Sequence, residues 1–211
     1  PPSPLAPKSI EVKTATTPVV TALASTSLRQ GDLKTAEPAI VALLDRNALP
    51  QAKAALDATP ESLLANPIVN FLKGRLAWQA MQAGDEDYGI NDVRRYWETA
   101  AQQKKDSVQF LNALGFAYYT GGKLDLAHKA WSDALALTQN QPASPQLQRD
   151  LGTATAGLAL VAFKSAQLRQ KVLTDDPVNF QPEALNKDWR WSEPTIADWR
   201  ALLEYNSESA L

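Results

Sequence analysis

The sequence predicts an all-α fold: an array of helical hairpins closed by a C-terminal capping helix. Three observations carry that expectation. Apolar residues recur at three- and four-residue steps, the period of a helix with one buried face. Turn signals such as Gly31-Asp32, Thr59-Pro60 and Gly122 divide that pattern into short helices. Trp97 and Trp131 stand 34 residues apart, and Asp92–Ala100 lines up with Leu126–Ala134 around them, so the chain repeats itself. By this reading residues 1–17 form a linker, 18–174 the helical array and 175–211 an aromatic cap with a last helix.

Residues 1–17 hold four prolines and five Ser/Thr among few large apolar side chains, which favours an extended linker over a packed element. The helical pattern opens at Pro18 and runs through Leu23 and Leu28 to about Gln30. Leu33, Ala36, Ile40, Leu43 and Leu44 mark a second helix, ending near Arg46. Asn47 is expected to cap a third, with Pro50 in its first turn and Ala52, Ala55 and Leu56 inward. Residues 61–83 read as one longer helix or as a short turn followed by a helix from Pro67, with Leu72, Leu76, Ala77 and Ala80 inward. Gly84–Gly89 is a loop, longer than a tight hairpin turn. Asn91 or Asp92 caps the helix of Tyr96 and Trp97, and Asp106-Ser107 starts the next.

Residues 108–137 form the clearest hairpin. Gly115 and Ala127 are small where two helices cross, Tyr118 and Trp131 fill the adjoining gaps, Gly122 permits the sharp turn, and Ala134 lets the next unit approach. After the polar loop 139–145, Leu147, Leu151, Ala154, Leu158, Val161 and Leu168 mark a long helix. Its Gly152, Ala156, Gly157 and Ala159 suit close contact with the preceding hairpin, and Asp175-Asp176-Pro177 stops it. Ser192 caps a final amphipathic helix with Pro194 in its first turn and Ile196, Trp199, Leu202 and Leu203 inward.

Composition narrows the function classes. A net charge of −2 lacks the basic excess of a general nucleic-acid binder. With no cysteine and one histidine, His128, neither disulfides nor multi-histidine metal sites are available within the chain. No apolar run spans a bilayer, so no membrane insertion is expected, and the start lacks the pattern of a secretory signal. A cytoplasmic setting is the expectation. The chain opens at Pro1 without a methionine, which suggests a piece of a longer protein.

Leu114-Gly115, Tyr118, Gly122, Ala127, Trp131 and Ala134 resemble the tetratricopeptide repeat signature. The resemblance covers 108–137 best, 68–104 with an interruption at the 84–89 loop, and 18–58 and 145–174 in part. It implies a right-handed superhelix of paired helices, with a concave groove lined by the first helix of each pair, that binds a protein or peptide. A second resemblance rests on Ala48–Lys53, Val69–Trp78, Arg94–Trp97 and Phe180–Trp191. These segments are similar to the helical region that follows the catalytic domain in some cyanobacterial serine/threonine protein kinases. No kinase motif lies in the chain itself. The resemblance therefore implies a docking or regulatory region, whose partner is another protein or the parent's own catalytic domain; the alternatives are a stand-alone adaptor or part of a kinase.

The resemblance turns Asn112, Phe116 and Tyr119 toward the concave side, with Arg75 and Gln79 as the equivalents one unit earlier. Phe116 and Tyr119 would anchor a side chain, and Asn112 would hold a peptide backbone through its amide. Other constellations read as structural. His128 has no nucleophile placed beside it by motif. Asp85-Glu86-Asp87 lacks the spacing of a calcium loop. Lys104-Lys105 suits a helix C-terminus, and Arg94-Arg95 a solvated face. Trp189, Trp191 and Trp199 read as cap residues. The sequence thus predicts no catalytic residue, no metal site and no cofactor.

Overall fold

The computed structural model describes residues 11–139 and 141–175, with side chains as far as Leu168. Every regular element among them is helical. The helices are α1 (Thr17–Arg29), α2 (Leu33–Asp45), α3 (Leu49–Asp57), α4 (Pro67–Gln82), α5 (Ile90–Gln103), α6 (Val108–Thr120), α7 (Leu124–Thr138) and α8 (Pro145–Asp175), with a single 3-10 turn at Glu61–Leu63. They fall into two compact units, the first ending at Gln103 and the second beginning at Lys104. The predicted cap, including Ser192, Trp189, Trp191 and Trp199, lies outside the described residues.

One joint recurs at four helix ends. Gly31, Gly84 and Gly122 have φ of 75°, 85° and 73°, and Asn47 has φ of 55°. Each follows a helix by two residues, and each sends its N–H back to the carbonyl three before it. The residue after each donates to the carbonyl five before it: Asp32 to Ser27 at 2.9 Å, Ala48 to Leu43 at 2.9 Å, Asp85 to Ala80 at 3.0 Å and Lys123 to Tyr118 at 2.8 Å. This is the Schellman closure, which satisfies otherwise orphaned carbonyls and needs one left-handed residue. Asn47 therefore ends α2 and does not cap α3. The following N-cap is Ala48, which offers no side-chain bond. Asparagine serves in the left-handed role because its short polar side chain tolerates that conformation.

Four helices start on side-chain caps, whereas α1 and α7 have none. Asp32 accepts from the Thr35 N–H, Asn66 from Ile68 and Val69, Ser107 from Phe110 and Ser144 from Leu147. At α5 the Asp92 carboxylate reaches back to the Gly89 N–H at 3.0 Å, the return half of a capping box. Of the two readings for 61–83, the turn followed by a helix from Pro67 is the one found. Buried Asn70 fixes that junction, donating to the carbonyls of Leu64 and Asn66 at 2.8 and 2.9 Å. Pro38 sits inside α2 on its exposed side, where the ring meets water and the one missing N–H leaves the helix continuous.

The core of the first unit joins Val20, Leu28, Ile40, Leu43, Leu44, Leu56 and Leu72, all at most 1% exposed. It extends upstream of α1. Val12 and Ala15 pack on it, and the Arg46 guanidinium donates to the carbonyls of Val12 and Lys13 at 2.8 and 3.0 Å. The packed chain thus begins within the segment read as linker. The core of the second unit gathers Val108, Ala127, Trp131, Ala134, Ala154 and Val161. Among the described residues no helix is long and apolar enough to cross a membrane.

Candidate interaction surface

Two tryptophans organise the hairpins that would carry a binding face. A Cβ placed on Gly115 would lie 2.7 Å from the Trp131 ring, and one on Gly157 would lie closer still. The indole is therefore wedged between α6 and α8, where only hydrogen fits. Trp97 sits against Gly74 of α4 in the same way. Its Nε1 donates to the Phe71 carbonyl at 3.1 Å, and the two rings stack with centroids 6.4 Å apart. In the first hairpin Ala24 and Ile40 hold the corresponding places, counted from the turn glycine and from the start of the second helix, and both are fully buried. Both belong to the core of the first unit.

The expected small-residue contacts at Gly115 and Gly157 are thus present. Gly74 was missed. Trp131 follows Gly115 by 16 residues, whereas Trp97 follows Gly74 by 23. Counting 16 back from Trp97 lands on Met81, so the repeat signature alone points to the wrong residue.

The five predicted groove residues meet different fates. Arg75 and Gln79 belong to the first unit and face the end of α2. Arg75 pairs with Asp45, and Gln79 Nε2 donates to the Leu44 carbonyl at 3.2 Å. They stand one turn apart on α4 and pin it to that helix end. Asn112, Phe116 and Tyr119 belong to the second unit. Asn112 is 5% exposed, and its Nδ2 donates to the Asp150 carbonyl of α8 at 2.9 Å. An amide so placed joins two helices and is not presented to a peptide. Phe116 is 38% exposed. Tyr119 is half-buried, its ring centroid 6.0 Å from that of Trp131. Of the five, Phe116 is the most open to solvent and Tyr119 is half-buried, so these two keep aromatic surface at the exterior of α6.

Polar clusters sort in the same way. Arg94 pairs with Glu98, Arg95 pairs with Asp92 and lies 5.0 Å over the Tyr96 ring, and Lys129 pairs with Asp133. These are exposed or half-exposed intrahelical pairs of small energetic weight. Asp85 accepts from the Asp87 N–H at 3.0 Å, shaping the acidic loop from within. Among the described residues no three His, Cys, Asp or Glu side chains converge as a metal site. His128 is half-buried on α7.

Burial perturbs three further groups. Lys73 is pushed below the usual lysine range by burial, opposed by Asp57. Tyr88, at the end of the 84–89 loop, is pushed up by burial. Asp150 is also pushed up by burial, opposed by the hydrogen bond from Gln146 and by Arg149. Asp150 contributes to an open cleft of about 580 Å³ with Lys104, Asp106 and Ser107 at the start of α6, and a cleft of similar size follows Thr21, Ser25 and Arg29 of α1 to Gln51 of α3. None of the five predicted residues lines either one. No protein-family model matches the chain, and no curated protein matches its sequence.

Proposed function

We propose that this chain is a protein-interaction scaffold of tetratricopeptide type, the docking or regulatory region of a larger protein such as a serine/threonine kinase. The observation that carries the reading is the recurrence of one hairpin joint: a left-handed turn residue, then a bulky side chain seven residues into the second helix, set against a small residue of the first. Units that stack by such a joint build rigid, largely preformed surfaces, the usual basis of peptide capture. The kinase connection comes from the likeness of Ala48–Lys53, Val69–Trp78 and Arg94–Trp97 to the region following such catalytic domains. A cytoplasmic setting belongs to the same reading.

Phe116 and Tyr119 are the residues we assign to ligand contact. Both are aromatic, both lie on the first helix of a hairpin, and aromatic anchors dominate binding energy at protein interfaces. Selection of peptides from a display library on the intact chain tests this, with affinities measured by calorimetry. Phe116→Ala and Tyr119→Ala should each weaken a selected peptide by about thirtyfold, the equivalent of about 2 kcal/mol, with the helical circular dichroism unchanged. Peptides that bind both variants as tightly as the parent chain would place the site elsewhere. Phosphotransfer by this chain with added ATP would overturn the scaffold reading.

A further inference from the structure

The two tryptophan joints differ in what the indole N–H meets. In the first unit Trp97 Nε1 donates to the carbonyl of Phe71, the residue three before Gly74. In the second, Trp131 Nε1 is buried with no acceptor among the described residues. The residue three before Gly115 is Asn112, and its Oδ1 is buried with no donor among the described residues. The orientation of that amide is fixed, because Nδ2 faces the Asp150 carbonyl at 2.9 Å and a carbonyl only accepts. A buried donor and a buried acceptor therefore flank one turn of α6. Each would forfeit its solvation without return if left alone.

The two groups lie about one helical turn apart along α6. The indole nitrogen stands 2.8 Å from where a Gly115 Cβ would lie. Residues three apart on a helix have Cβ atoms about 5–6 Å apart. Two hydrogen bonds through one water span about 4.5–5.5 Å. We propose that Asn112 and Trp131 hold one internal water, which accepts from Trp131 Nε1 and donates to Asn112 Oδ1. Asn112 is then the positioning residue of a relay through α7, α6 and α8: indole, water, amide, Asp150 carbonyl. In the first unit the same turn closes directly onto the main chain. In the second, Gly157 also presses on the indole from α8.

Nuclear magnetic resonance of the intact, nitrogen-labelled chain tests this. The Trp131 indole N–H should show a cross-relaxation peak to a long-lived water, and the Trp97 indole N–H should not. In Asn112→Leu, which keeps the volume and removes the acceptor, that peak should vanish, and exchange of the Trp131 indole proton with solvent should rise about tenfold. Absence of the water peak in the parent chain overturns the proposal, whether or not the variant folds. Persistence of the peak in a folded Asn112→Leu removes Asn112 from the site.

Discussion

At the scale of single residues, six glycines divide into two kinds that fail for different reasons. Gly31, Gly84 and Gly122 have nothing within 4 Å of a would-be Cβ, so substitution there costs only backbone strain. Gly122→Ala should lose about 1–2 kcal/mol, the penalty of a left-handed alanine. Gly74, Gly115 and Gly157 adopt no such conformation but face an indole. Alanine at Gly115 should cost about 1–3 kcal/mol through overpacking, or more where the helices resist separation. A double-mutant cycle in urea distinguishes the two. Trp131→Leu should offset much of the cost of Gly115→Ala and leave that of Gly122→Ala unchanged. Equal coupling in both pairs would mean that the indole is not what excludes the Cβ. Asp150 permits a test by pH. Burial raises its pKa above the ordinary carboxylate value, so its neutral form is favoured in the folded state. That contribution is complete below the unfolded pKa and is lost as pH rises through the folded one. Asp150→Asn should therefore resist urea slightly better than the parent at neutral pH, and the gap should close as pH falls through the carboxylate range. A gap that widens on acidification would mean that the ionised carboxylate is stabilising. The effect is small because the group is only half-buried.

At the scale of helices, the second hairpin shows how a repeat absorbs an insertion. Helix α4 has 16 residues where α6 has 13. Gly84 precedes α5 by six positions, where Gly31 and Gly122 precede their helices by two. Three residues lengthen the ascending helix by about 4.5 Å, and four more in the loop bring the chain back down. Trp97 then lies seven residues into α5, just as Trp131 lies seven into α7. Removing 86–89 alone should leave Trp97 out of level with Gly74 and expose it, seen as a red-shifted tryptophan emission. Removing 79–81 as well should restore the burial of Trp97 and cooperative unfolding. If the shorter deletion already leaves Trp97 buried, the helix extension is not what the loop compensates. The same insertion explains what the sequence disclosed. Hairpin 108–137 was legible because every packing residue stands at uninterrupted spacing from Trp131. The glycine turns at Gly31 and Gly122 and the Ser107 cap were legible, whereas the caps at Asn66 and Ser144 were not named and α5 begins at Ile90, ahead of the expected caps Asn91 or Asp92. Asn47 was misplaced because asparagine suits both a helix start and a left-handed helix end, and the choice between them lies in φ. Gly74 was hidden by seven extra residues. Asn112 was read as a ligand group because its exposure depends on α8, which reaches it from 38 residues downstream.

At the scale of the whole molecule, the consequence is cooperativity confined by packing. Trp131 touches glycines on both α6 and α8, so one side chain binds three helices of the second unit into a single core. The first unit has its own core, built on Leu28, Ile40, Leu43 and Leu56. Repeat proteins distribute stability as local terms plus nearest-neighbour terms, so damage spreads in proportion to shared packing. Gly157→Ala should therefore lower amide protection in α6, α7 and α8 together, by about tenfold or more for each 1.4 kcal/mol lost. It should alter α1 and α2 much less. The comparison to make is α8 against α6. These helices are far apart in sequence, and the wedged indole, beside the Asn112–Asp150 bond, ties their opening together. If α8 loses protection while α6 keeps it, the indole is a local filler. The aromatic face of α6 that bears Phe116 and Tyr119 would then rest on α7 and on the Asn112–Asp150 bond to α8, and the proposed binding surface would lose one of its supports.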